Sequence, residues 1–169
     1  MKKKVMALVL SALMVTGLVG CGNNNDNSAD SKESTLKVGM ITDSGTIDDK
    51  SFNQGTWEGI IEAEEKLGIE KNYLKPSGET EADYLTEIQN LYDSGYKFIV
   101  GPGFKLETAI YKAQEKYQYA KFVILDGAPM DEDGNYVVAD NTVAIQFAEH
   151  EGGFAAGVAA AVELQTGDL

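Results

Sequence analysis

The chain has 169 residues and a formal net charge of −13, with one histidine, one cysteine and a basic complement made of lysine alone. Nucleic-acid backbones and phosphate groups are gripped by clusters of basic side chains, so this balance argues against nucleic acid and phosphorylated ligands and favours a neutral or cationic solute. A lone cysteine offers no intramolecular disulfide, which leaves a packed core as the source of stability.

Lys2, Lys3 and Lys4 form a basic head, and the apolar run that follows over residues 5–19 is about 15 residues long, short of the roughly 20 needed to span a membrane. A basic head, a short apolar core and small residues at its end describe a secretory signal. Leu18-Val19-Gly20-Cys21 resembles the lipobox of bacterial lipoproteins. That resemblance implies a signal peptide over residues 1–20, acylation of Cys21 and a lipid anchor on the extracytoplasmic face of the cell membrane. Residues 21–34 follow as a tether: past Cys21 they hold no large apolar side chain and cannot offset the entropy of becoming ordered.

From residue 35 to residue 169 the pattern is strand and helix in alternation. Residues 36–42 read as an apolar strand ending in the turn Asp43-Ser44-Gly45. Residues 51–67 read as a helix with Trp57, Ile60, Ile61 and Leu67 on one broad face, stopped by Gly68. A weak strand over 72–75 precedes Pro76-Ser77-Gly78, and Thr80 with Asp83 makes a capping pair that opens the next helix, which runs to Gly95. The continuous apolar runs 96–101 and 120–127 suit strands buried on both faces of a parallel sheet, with a helix over 106–117 between them. After a turn at Asp133-Gly134, a strand is expected within 137–145 and a small-residue helix over 147–164. This order predicts an α/β fold with a doubly wound, mostly parallel sheet. Ligands of such sheets bind beyond the carboxyl ends of the strands, which points to Asp43 and Ser44, to residues 101–104 with Gly103 and Phe104, and to Asp126.

The first strand–turn–helix carries Asp43-Ser44-Gly45-Thr46-Ile47-Asp48-Asp49-Lys50-Ser51-Phe52-Asn53, and later come Gly101-Pro102-Gly103-Phe104, Phe122-Val123-Ile124-Leu125-Asp126 and Glu149-His150-Glu151-Gly152-Gly153-Phe154. Together these blocks resemble the basic membrane protein family of substrate-binding lipoproteins, some of which are purine nucleoside receptors. The resemblance implies the N-terminal lobe of a type I periplasmic-binding-protein fold, whose two lobes close on a ligand like a hinge. It also implies an ABC permease and ATPase as partners, and no cofactor. Residue 169 falls where the family enters its second lobe, so half of the cleft is expected to be absent.

By the same resemblance, Phe52 stacks on a base. It stands roughly 90° around the helix from the centre of the apolar face, at about 100° per residue; a place in the core is the alternative. Asn53 can donate and accept through one amide, as reading a purine edge requires, or it can hydrogen-bond the helix terminus. Asp43 and Asp126 can accept from a ligand or cap their own turns. Asp48 and Asp49 read as structural, one of them capping the helix. Gly103 permits close backbone approach, and Phe104 either lines the cleft or packs.

Residues 131–142 hint at a calcium loop, yet Tyr136 and Thr142 occupy the positions that need glycine and glutamate. One histidine makes neither a catalytic triad nor a metal site. An enzyme is not expected. A sugar or other small polar solute is the nearest alternative ligand, and a sensory or adhesive surface lipoprotein the alternative role.

Overall fold

A computed structural model describes residues 36–166. The signal peptide, Cys21 and the tether lie outside the described residues. Five strands form one sheet in the order β2-β1-β3-β4-β5: β1 (Lys37–Ile41), β2 (Glu70–Leu74), β3 (Phe98–Pro102), β4 (Lys121–Leu125) and β5 (Thr142–Ile145). Every neighbouring pair is parallel.

The helices are α1 (Phe52–Leu67), α2 (Glu81–Asp93), α3 (Glu107–Lys116) and α4 (Glu149–Thr166), with a 3-10 turn at Phe104–Leu106 leading into α3. Right-handed crossovers decide their sides. The first unit steps from β1 outward to β2; the next returns across β1 to β3, so α1 and α2 fall on opposite faces. Two clusters of buried side chains record this. Tyr84, Ile88 and Leu91 of α2 join Ala109, Ile110 and Ala113 of α3 over Ile41, Ile99, Phe122 and Ile124. On the other face Ile60 of α1 packs on Val38, Met40 and Val100.

Local chemistry sets most of the boundaries. The Gly68 N–H donates to the Glu64 carbonyl from a left-handed conformation, φ 66°, which closes α1 where a glycine is free to do so. Thr80 and Asp83 form the reciprocal capping box expected at the start of α2.

Four expectations are corrected. The second strand begins at Glu70, because Glu70 pairs with Lys37 of the neighbouring strand at 2.7 Å and accepts from the Tyr96 hydroxyl at 2.9 Å. Leu67 is exposed and lies off the buried face of α1. The last strand is short: Val137 and Val138 are exposed outside it, and the buried Gln114 side chain bonds the Val137 carbonyl (2.8 Å) and the Ala139 N–H (3.2 Å) in place of a strand ladder. The final helix starts at Glu149, which leaves Phe147 in the connection after β5.

Candidate functional site

Strand order reverses between β1 and β3, and the connections leaving the carboxyl ends of β1, β3, β4 and β5 supply the site. The best-defined part is the loop after β1. The Asp43 N–H donates to Asn53 Oδ1 at 3.1 Å, and Asp43 Oδ1 accepts from the Gly45 N–H at 2.8 Å and from Asn53 Nδ2 at 2.6 Å. Asp43 therefore caps its own turn with one oxygen. The other, Oδ2, faces Gly103, where a Cβ in place of the glycine hydrogen would stand 3.5 Å from it. Gly103 has φ 99°, a conformation that strains other residues, and its N–H donates to the Leu125 carbonyl at 2.7 Å, tying the ends of β3 and β4 together.

Asn53 is 1% exposed and its amide is fully engaged, with Nδ2 also donating to Asp49 Oδ2 at 2.6 Å. Direct reading of a ligand edge by Asn53 is corrected accordingly: both amide hydrogens and the carbonyl oxygen are committed inside the loop. Asp49 accepts from the Ser51 N–H at 2.8 Å and the Gln54 N–H at 3.1 Å, so it caps the first turn of α1. Partial burial would raise its carboxyl, but the hydrogen bonds from the Asn53 side chain and from the Gln54, Ser51 and Asn53 N–H groups outweigh that and hold it below the ordinary aspartate value.

Phe52 opens α1 and is 43% exposed, outside both buried clusters. Its ring lies 5.8 Å from that of Phe147, tilted by 34°. The two rings, with Ser51, Gly55, Thr56 and Leu125, line an open recess of about 460 Å³. Phe147 also lines a second, more polar recess of about 290 Å³ together with Phe104, Glu107, Asp126, Gln146 and Glu149. Phe104 is 64% exposed there, so it lines the edge and does not pack.

Asp126 adopts a left-handed conformation, φ 58°, and its N–H donates to the Ile145 carbonyl at 2.7 Å. A hydrogen bond to Asp126 and the repulsion between the two carboxyl groups push Glu149 above the ordinary glutamate value. Glu107 Oε1 accepts from the Ala128 N–H at 3.1 Å and holds the loop after Asp126. Ser44 sits at the rim, its hydroxyl bonded by Lys105 Nζ at 3.1 Å, while the same ammonium reaches Glu79 at 2.6 Å. That pairing with Glu79 raises Lys105 above the ordinary lysine value.

The structure thus brings Asp43, Asn53 and Gly103 into one contact group, and Phe104 and Asp126 into the polar recess; Phe147 joins that recess to the one holding Phe52. Sequence reasoning missed Phe147, Glu107 and Lys105. The aromatic at the end of the last apolar run was the available sign for Phe147, concealed by assigning it to the helix. Among the described residues, no group of three or more histidine, cysteine, aspartate or glutamate side chains is arranged to hold a metal ion.

Comparison with known proteins identifies the family of the chain. The Bmp family, described as ABC transporter substrate-binding protein PnrA-like, matches residues 36–168. A CD4+ T-cell-stimulating antigen of Listeria innocua is 36% identical over 98% of this chain and 47% of its own length. The ABC transporter nucleoside-binding protein BmpA of Lactococcus lactis is 33% identical over 100% of this chain and 47% of its own. A crystal structure of an ABC transporter solute-binding protein from Aeropyrum pernix superposes with a TM-score of 0.56 at 26% identity, covering 66% of this chain and 28% of that one. The chain spans about half the length of the curated relatives it matches. Matched over all of its described residues, the chain belongs to the Bmp family of PnrA-like ABC transporter substrate-binding proteins.

Proposed function

We propose that this chain supplies the first lobe of an extracytoplasmic lipoprotein that captures a purine nucleoside for an ABC importer, anchored through acylated Cys21. The observation that carries the reading is the pair of rings, Phe52 and Phe147, exposed past the carboxyl ends of the strands, on the same edge of the sheet as Asp43, whose Oδ2 has no hydrogen-bond partner among the described residues. An aromatic face is apolar and tolerant of any base, and stacking on one contributes about 1–3 kcal/mol. A carboxylate accepts only from N–H or O–H groups, so Asp43 and Asp126 select ligands that present them. The acidic chain suits an uncharged nucleoside better than a nucleotide, whose phosphates it would repel. The Lactococcus relative, named for nucleoside binding, supports the same ligand class. A second lobe would complete the cleft, and the ligand would then favour the closed form by its differential affinity for that form.

Calorimetric titration of the full-length protein with inosine, guanosine, adenosine, cytidine and ribose tests the proposal. Purine nucleosides should bind and ribose should not, with Phe52→Ala weakening inosine by about 1–3 kcal/mol. Equal affinity for ribose and inosine removes base recognition and leaves a polyol ligand in the polar recess around Asp126. Palmitate labelling in the native host should disappear in Cys21→Ala.

A further inference from the structure

We infer that Asp49 is a positioning residue for ligand recognition: acting through Asn53, it fixes Asp43 so that carboxylate oxygen Oδ2 is held over Gly103, ready to accept from a ligand. The inference rests on the reading of Asp43 as a ligand acceptor.

The hydrogen bonds have a direction that makes this relay selective. Asn53 Nδ2 donates to two carboxylates from different parts of the loop, Asp43 Oδ1 and Asp49 Oδ2, each at 2.6 Å. Its oxygen is then left to accept from the Asp43 N–H. Turning the amide over would set that oxygen against both carboxylates at the same separation, so the acidic pair chooses one orientation. Asp49 is in turn held by the Ser51 and Gln54 N–H groups on Oδ1, which frees Oδ2 for Asn53. Asp43 is thereby gripped through its N–H and Oδ1 together, and only Oδ2 remains to meet a ligand.

Gly45 gives an independent sign of the same relay. A Cβ at Gly45 would stand 2.6 Å from Asn53 Nδ2 and 2.7 Å from Asp49 Oδ2, on top of the contact between them. Its backbone has no positive φ that would demand glycine. What glycine supplies here is room for the Asp49–Asn53 bond, while its N–H steadies Asp43 Oδ1. The neighbouring Asp48 accepts from the Thr46 hydroxyl at the exposed surface, which makes it the natural control.

The test measures hydrogen exchange at the Asn53 side-chain amide and the Asp43 N–H by NMR in the ligand-free full-length protein, and inosine affinity by calorimetry. Asp49→Asn and Gly45→Ala should each accelerate exchange at both positions and weaken inosine about tenfold, the loss expected for one charge-assisted hydrogen bond, whereas Asp48→Asn should change neither. In an Asp43→Asn background, Asp49→Asn should cost little further affinity. Unchanged exchange in folded Asp49→Asn overturns the relay. Faster exchange with unchanged inosine affinity, or losses that simply add in the double variant, overturns the positioning role. If the wild-type protein binds no nucleoside, that failure belongs to the nucleoside reading, and the relay stands or falls on exchange at Asp43.

Discussion

The two faces of the sheet are finished to different degrees. Under α2 and α3 the inward side chains of β1, β3 and β4 are sealed: Ile41, Ile99, Phe122 and Ile124 are all buried. Under α1 burial fades across the sheet, from Met40, fully enclosed, to Val143 at 56% exposure and Ile145 at 40%. One helix covers two or three strands, so a single helix on that face leaves β4 and β5 partly bare. The recess holding Phe52, Leu125 and Phe147 lies where the cover runs out. The closed face holds most of the core, and the open face with its carboxyl edge holds the candidate site.

Substitutions on the closed face should have the largest effect. Phe122→Ala should destabilise by about 3–5 kcal/mol in urea unfolding, by losing burial and leaving a cavity, while Val143→Ala on the open face should stay within about 0.5 kcal/mol. Equal losses at the two positions would mean that the open face is covered in solution. A smaller effect is expected at the cap of α2, where Thr80→Ala should cost about 1 kcal/mol by breaking the reciprocal box.

The smallest effects are in pH dependence, and here the carboxyls that cap α1 and α2 should differ in sign from Glu149 at the start of α4. Hydrogen bonds from the Thr80 hydroxyl and N–H lower Asp83, and the outweighing bonds described above lower Asp49. A carboxyl lowered on folding contributes stability that is present above its unfolded value, near 3.8 for both, and lost as pH falls through the folded value. Glu149 is raised above 4.5 by Asp126, so it opposes folding once ionised, and its penalty develops as pH rises through that interval. Glu149→Gln should therefore stabilise the protein slightly at pH 7 and not at pH 3, and Asp83→Asn should do the reverse, weakening it at pH 7 and little at pH 3. Urea midpoints of the two variants at both pH values check the contrast.

Much of the site was legible because strand ends and turn residues are local features. Asp43, Gly103, Phe104 and Asp126 all lie past the carboxyl ends of strands, where the strand pattern placed them, while Phe52, singled out by the family resemblance, opens α1. The role of Asn53 was not legible, since its partners, Asp43 and Asp49, are brought to it only when the loop folds back on α1. The length of the last strand was hidden for a similar reason. Val137 and Val138 have strand propensity, yet Gln114 of α3 takes up the backbone groups around them, and Asn141 Nδ2 donates to the carbonyls of Gln114 and Ala120 at 3.1 and 3.2 Å.

A similar contrast between sequence and packing holds for α4. Its middle, residues 152–162, holds only apolar or small residues on every side, a pattern that suits burial, and yet each of the described side chains of α4 is exposed. Sequence alone could say that this segment is helical, because helix formation depends on neighbours a few residues away. Whether its surface is covered depends on what packs against it.

The amino-acid order by itself determined the alternation of strands and helices, the caps that bound them and the class of the sheet, since periodicity and capping act over a few residues. Tertiary structure alone decided which carboxylate oxygen stays free, which amide is consumed, and which face of the sheet is left open. Those outcomes depend on distances between groups far apart in the chain, and on how many helices arrive to cover each face.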